Sequence, residues 1–366
     1  MERAWIAGEP VVLDAAIAEA AKLVAASTQP LIAGLGTDVA GVRAAISLAQ
    51  RVGGVIDHMH AESLLRNLDV VRSSGVMLTT PTEADMRADT LLVAGPVPDT
   101  GLFQQLVSGS CQRTAGRKAR RTFWLCPGSD AATAAAGSSV KLVGRALRDL
   151  PTLLAALRAR IGDRPVDKTA IAVRTLEQLS RDLKASRFGV AIWAVGDVDA
   201  LAIEMLCGLV DDLNATTRFS TLPLLPADNA LGVLQACGWM TGLPMRTGFG
   251  RGQAHHDPWL FDSRRLIGGG ETDCVIWISA YHAAPPPWRE APPTIALTAD
   301  GASFRVPPRV HIAVGVPAID HATVHYLPST GTLSAVAASQ PSTRISVADA
   351  ISRIAASLPD DGARQC

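Results

Sequence analysis

The sequence predicts an α/β fold made of two doubly wound units. Short runs of Val, Ile and Leu alternate with stretches of helical period along most of the chain, the pattern of parallel sheets covered on both faces. A glycine-rich turn in LIAGLGTDVAG, Leu31–Gly41, joins one such run to a helix. The runs of the first half also return in kind in the second. DTLLVAGPVPD matches DCVIWISAYHA, TFWLCPGSD matches TIALTADG, and VKLVG matches HIAVG. That is a duplication of architecture more than of sequence.

In order along the chain, Leu31–Leu35 reads as a buried strand. Asp38–Arg51 reads as a helix with Val39, Val42, Ile46 and Leu48/Ala49 on one face. GVID (54–57) is a second strand, a helical stretch follows, and GVMLT (75–79) and DTLLVAG (89–95) are further apolar runs. A helix over 99–107 precedes TFWLC (122–126) and VKLVG (140–144), and residues 149–183 read as helical. GVAIWAVGD (189–197), a helix to Asn214, FSTLPLL, a helix over 229–240, DCVIWISA (273–280), TIALTAD (294–300) and VHIAVGV (310–316) complete the series. Residues 240–265 have no clear period and read as a long functional or contact loop. The prolines at 285–287 and 292–293 stiffen another. The tail from Asp360 reads as frayed. Two such units facing one another predict a ligand crevice across the C-terminal strand ends.

Composition narrows the function. The 366 residues are 48% apolar and 19% charged, far from a disordered profile. Lys plus Arg and Asp plus Glu each number 34, so no net charge draws nucleic acid or an anionic membrane. No apolar run reaches the roughly 18 residues of a membrane span, and MERAWIAGEPVVLDAA lacks a secretory core. A cytoplasmic protein is expected. The six cysteines, Cys111, Cys126, Cys207, Cys237, Cys274 and Cys366, form no CxxC pair for zinc or an iron–sulfur cluster. Cys126 and Cys274 fall in expected strands and read as small core residues.

Three stretches carry candidate chemistry. Gly34, Gly36 and Gly41 give GxGxxxxG, short of the strict GxGxxG fingerprint. Backbone N–H groups at that helix start suit an anion. The turn is equally read as a plain strand-to-helix corner capped by Thr37 or Asp38. DHMH, Asp57–His60, places His58 and His60 two apart, as zinc amidohydrolases begin their metal site, but no set of later histidines completes it. RTGFGRGQAHHDPW gathers Arg246, Arg251, His255 and His256 among glycines, a candidate anion or partner contact. No GxSxG is present, and SGSCQRTAG around Cys111 has no acid–base partner in sequence.

Taken in order, LIAGLGTDVAGVRAAISLAQRVGGVIDHM, ADTLLVAGPVPD, NALGVLQACGWMTGLP with GFGRGQ, and DCVIWISA resemble the B subunit of formylmethanofuran dehydrogenase. That family belongs to the molybdopterin and tungstopterin oxidoreductases. The resemblance spans about Leu31 to His325 and rests on order and spacing. It implies two Rossmann-like units: residues 1–60 and 187–345 form the first, 61–186 an inserted second, and 346–366 a C-terminal helix and tail.

The departures from that family carry the expected function. The family opens on a cysteine cluster for an iron–sulfur centre, and no cysteine precedes Cys111 here. Where the family has its metal-ligating Cys followed by His, this chain has Leu65 and Arg66, and leucine offers no lone pair to tungsten or molybdenum. Both bulky side chains are expected in the former cofactor space. Arg251 matches an arginine of the family's active-site loop. The chain therefore looks like the corresponding subunit of the bacterial formyltransferase/hydrolase complex of methylotrophs. Such a complex passes a formyl group from formyl-tetrahydromethanopterin to a methanofuran-type carrier and hydrolyses it to formate. The resemblance implies a non-redox scaffold with no catalytic residue, no metal and no cofactor. Gly34, Gly36, Thr37 and Asp38 would be a vestigial cofactor turn. The implied partners are an amidohydrolase-type zinc subunit, a β-helical subunit, a formyltransferase subunit and the carrier's polyacidic tail. The alternatives are an active molybdenum or tungsten subunit, a zinc amidohydrolase using His58 and His60, and a dinucleotide-binding module.

Overall fold

The computed structural model describes residues 3–98, 100–108, 120–128, 140–290 and 292–359. The Cys111 segment, the start of the helix expected from Asp99, and the tail from Asp360 lie outside the described residues. In chain order the elements begin β1 (Arg3–Ile6), β2 (Glu9–Val11), α1 (Leu13–Ala26), β3 (Pro30–Gly36), α2 (Val39–Val52), β4 (Val55–Ile56), α3 (Ala61–Ser74) and α4 (Pro81–Arg87). They continue β5 (Thr90–Ala94), α5 (Gly101–Ser108), β6 (Arg121–Leu125), β7 (Val140–Val143), α6 (Leu150–Ile161), α7 (Val173–Lys184), β8 (Gly189–Ala194), α8 (Ala200–Asn214) and β9 (Phe219–Leu224). The last are α9 (Ala230–Thr241), β10 (Thr247–Gly248), β11 (His255–His256), α10 (Ser263–Gly268), β12 (Cys274–Ser279), β13 (Thr294–Thr298), β14 (Val310–Ala313), β15 (Thr323–Leu327), β16 (Thr332–Val336) and α11 (Val347–Ala356).

The chain divides into two compact units. One comprises Met1–Glu62, Ala227–Tyr326 and Leu333–Cys366; the other comprises Ser63–Pro226 and Leu327–Thr332. The first holds a nine-stranded sheet ordered β11-β10-β4-β3-β12-β13-β14-β1-β2. Its five central strands, β4 to β14, run parallel, and the outer ones pair antiparallel. All seven residues of β3 and all six of β12 are buried, as central strands of a two-sided sheet require. Val39, Val42, Ala45, Ile46, Ala49 and Val52 of α2 lie buried at helical spacing, and Gly53 ends the helix at φ 68°.

The second unit holds five parallel strands ordered β7-β6-β5-β8-β9. Alternate residues serve its two faces. Leu92, Phe123, Leu125, Ala191 and Trp193 pack with the leucines of α6 and α7 and with Ile203 and Leu206 of α8. Leu91, Val93, Trp124, Val190 and Ile192 pack with Ala84 of α4 and with Phe103 and Leu106 of α5. The parallel core of the first sheet, β14-β13-β12-β3-β4, has the same order, with β3–α2–β4 in the place of β8–α8–β9. Asp38 and Asp199 cap the matching helices, accepting from the N–H groups of Gly41 at 2.9 Å and Ala202 at 2.8 Å.

Three boundaries differ from the sequence reading. The inserted unit does not close at residue 186, because β8 pairs with β5 and β9 with β8, which carries residues up to Pro226 into the second unit. The C-terminal helix is no separate element: α11 packs on α1 and α2 of the first unit, where Arg51 donates to the Ala355 carbonyl at 2.6 Å. The loop over 240–265 supplies β10 and β11, which extend the sheet beyond β4. Two-residue strands leave no periodic trace in a sequence. GVMLT contributes only a bridge between Leu78 and Thr221. No helix among the described residues is long and apolar enough to cross a membrane.

Candidate functional site

In the first sheet the strand order reverses between β3 and β12, and in open α/β sheets ligands gather outside the C-terminal strand ends at such a point. The glycine turn lies there. Gly34 and Leu35 take φ of 80° and 52°, and the β3–β12 register slips by one residue beside them, a bulge that turns the chain away from the sheet. A Cβ on Gly34 would stand 2.5 Å from the Ile278 carbonyl oxygen. The Gly36 carbonyl accepts from Ala280 N–H at 2.7 Å, and Thr37 N–H donates to Leu35 at 2.8 Å. Asp38, buried, caps α2 through Oδ1 and accepts the Thr323 hydroxyl at 2.8 Å through Oδ2. The negative charge that a helix start favours is therefore supplied by the chain itself.

Beside the turn stands Asp228, its side chain only 8% exposed. Asp228 and Asn229 are both left-handed, at φ 58° and 56°. Asp228 Oδ1 accepts from His282 Nδ1 at 2.7 Å, and Oδ2 from His60 Nε2 at 3.4 Å. Burial alone would raise the Asp228 carboxyl, but hydrogen bonds from His60 and His282 carry it below the usual carboxylate range. Asn229 donates to the Thr37 carbonyl and accepts from Tyr326 N–H, each at 2.8 Å. Met59 and Asp228 close on Gly36, where a Cβ would lie 3.1 Å from the Met59 methyl and 3.4 Å from the Asp228 Cβ. The Tyr281 hydroxyl and His325 Nδ1 are hydrogen-bonded at 3.1 Å, and burial, with Asp38 and Asp228 nearby, pushes the Tyr281 phenol up.

His58 is committed at both ring nitrogens. Nδ1 accepts from His60 N–H at 3.0 Å, so the proton sits on Nε2, 3.3 Å from the Asp228 carbonyl. Burial first, and His60 second, lower its pKa to about 4, leaving it neutral. Zinc binding by His58 would break one of these bonds. Among the described residues no group of three or more His, Cys, Asp or Glu is placed to hold a metal ion.

The expected cluster of Arg246, Arg251, His255 and His256 separates into two roles. Arg246 is buried and is not an anion contact. Nη1 reaches Glu62 at 3.0 Å and the Pro258 carbonyl at 2.7 Å, Nη2 pairs with Asp262, and Nε lies 3.6 Å from Asp57. Burial pushes Asp57 up to about 6 against the pull of Arg246 and Ser263. His256 Nδ1 donates to the Arg246 carbonyl at 2.9 Å. Arg251 and His255 are exposed and line a groove of 430 Å³ with Gln253, Arg265 and Glu271. His255 stands edge-on to Phe261. Of the four, these two remain open to a partner or an anion.

Leu65 and Arg66 lie on α3. Leu65 is 6% exposed, and half-buried Arg66 donates to the Val198 carbonyl at 3.3 Å. Neither side chain offers a thiolate or any other ligand for a tungsten or molybdenum centre, so the residues at these positions do not fit that metal. Sequence reasoning missed Asp228, Asn229, Tyr281, His282 and His325. Asp-Asn after PA is the local sign, since both residues tolerate the left-handed region.

No family model matches the chain. A curated relative, the B subunit of the formyltransferase/hydrolase complex Fhc of Methylorubrum extorquens, is 33% identical over 319 residues, 86% of this chain and 85% of the relative. This chain belongs to that family of Fhc B subunits. A crystal structure of the same bacterium's formyltransferase/hydrolase complex FhcABCD with methylofuran contains a chain that superposes with a TM-score of 0.85. That chain is 32% identical, and the match covers 96% of this chain and 97% of that one. The B subunit of a tungsten-containing formylmethanofuran dehydrogenase 2 of Methanocaldococcus jannaschii is 28% identical over 289 residues, 73% of this chain and 64% of that protein. The Fhc family thus stands beside the tungsten dehydrogenases, as the resemblance read from the sequence implied.

Proposed function

We propose that this chain is the non-redox scaffold subunit of a formyltransferase/hydrolase complex. In that reading the complex moves a formyl group from formyl-tetrahydromethanopterin through a methanofuran-type carrier to formate. Each unit is a Rossmann-like, doubly wound descendant of the pterin-binding fold, and the old cofactor crevice of the first unit now holds the chain's own side chains. One observation carries the reading: Asp228, held by His60 and His282, closes on Gly36 at the reversal of strand order, and Asn229 beside it is held by Thr37 and Tyr326. Leu65, at the position where the resemblance implies a metal-binding thiolate, supports it.

Chemistry falls to the partners in this proposal: an amidohydrolase-type zinc subunit, a β-helical subunit and a formyltransferase subunit. Arg251 and His255 would meet a partner or the acidic tail of the carrier. Affinity purification of the tagged chain from its native cell tests the reading. The expected result is co-purification with those subunits, with formate release by the assembly and none by the isolated chain. An isolated chain that stays monodisperse and recovers no partner contradicts it.

A further inference from the structure

The opposite end of the first sheet carries a groove that the crevice chemistry leaves unused. Its walls are the connections β12–β13 and β13–β14, which contain no helix among the described residues. Parallel strands ordinarily cross over through a helix that covers the sheet. Here prolines take that place: Pro285–Pro287 and Pro292–Pro293 on one side, Pro307–Pro308 on the other. Thr294 opens β13 and Arg309 precedes β14, so the 820 Å³ groove lies at the N-terminal strand ends, away from Asp228.

The groove is stiff, aromatic and basic. Trp288 is half-buried and packs edge-on to Trp277 at 5.3 Å, and Phe304 packs edge-on to His311 at 4.9 Å. Val306 projects from the rim, 68% exposed. Four charged residues line it. Arg309 is engaged by Glu19, whereas Arg289 and Arg305 are exposed and have no carboxylate partner among the described residues; Glu290 is the one acid. Rigid aromatic and arginine groups are the usual energetic centre of an interface, and proline-stiffened walls lose little entropy on binding.

We infer that this groove docks an extended, acidic segment of a partner subunit, with carboxylates on Arg289 and Arg305 and an apolar side chain against Trp288 and Phe304. The inference rests on the reading of the chain as a complex subunit. Charge complementarity selects this occupant over a second copy, whose groove would present the same cations.

The test is reconstitution of the complex with the Arg289→Glu/Arg305→Glu chain, beside Arg289→Lys/Arg305→Lys and the unaltered chain. The charge-reversed chain should bind its partner subunits at least ten-fold more weakly at low salt. The lysine chain should stay within a few-fold, and the isolated variants should melt like the unaltered chain. Undiminished assembly of the charge-reversed chain overturns the groove assignment. Failure of the unaltered chain to assemble overturns the subunit reading instead. A photo-crosslinker placed at Val306 in the otherwise native complex gives a second readout. A crosslink to an acidic stretch of another subunit supports the inference, and one only to a second copy of this chain overturns it.

Discussion

Asp228 Oδ1 and His282 Nδ1 meet at 2.7 Å, and the same carboxylate receives His60 on its other oxygen. Three residues separated by up to 222 positions thereby close the corner where a doubly wound sheet would offer its ligand a seat. The relationship ties the candidate site to stability, and stability measurements can read it.

Replacement of Asp228 by Asn removes the charge from two hydrogen bonds and should cost about 2 kcal/mol at pH 7. The folded carboxyl titrates below its ordinary value of 3.8. Its contribution is therefore complete above that value and is lost as pH falls through the depressed folded pKa. Urea titrations of both proteins at pH 7 and at the lowest pH where they stay folded should show the gap shrinking. A gap independent of pH would remove the carboxylate from the account.

His58 also loses stability towards low pH, but because burial disfavours its charged form. The unfolded chain takes a proton near 6.5 and the folded one only near 4, so stability is whole above 6.5 and falls as pH drops towards 4. The span corresponds to about 3 kcal/mol. Asp57, protonated in the folded chain near 6, acts in the other direction over part of that range. His58→Asn keeps Asp57 and should flatten the acid limb relative to the unaltered protein. Parallel pH profiles of the two would contradict a buried neutral His58.

Arg246 and Arg251 should behave differently although both sit in one glycine-rich stretch. Arg246→Met removes the cation that Asp57 and Asp262 share and should cost about 3–5 kcal/mol. Arg251→Ala, on the surface, should stay within about 0.5 kcal/mol. Thermal unfolding of the two variants decides the matter; equal effects would put the division of the cluster in error.

The same contrast marks what a sequence can disclose. The β3–α2 corner is legible because its signals are local: an apolar run, glycines, an aspartate at the cap and a helical stripe of Val39, Val42 and Ile46. The parallel runs are legible for the same reason. Arg246 misleads because its three carboxylates come from Asp57, Glu62 and Asp262, two of them far along the chain. The extent of the second unit is hidden because β8 looks like any buried strand until its pairing with β5 is known. Asp228 announces itself only once His60 and His282 stand beside it.

Gly34 should tolerate no side chain. Gly34→Ala must hold a φ near 80° and place a methyl 2.5 Å from the Ile278 carbonyl oxygen. The backbone strain alone costs of order 1–3 kcal/mol. A variant that unfolds at the urea concentration of the unaltered protein would show the bulge to be soft.

The central claim is that the architecture stands here without the metal and pterin that the resemblance to the tungsten dehydrogenases implies. Metal analysis of the native assembly, with mass spectrometry of the small molecules released on its denaturation, measures this directly. The account predicts neither tungsten, molybdenum nor pterin in proportion to this chain. One equivalent of tungsten or molybdenum with pterin per chain would contradict it.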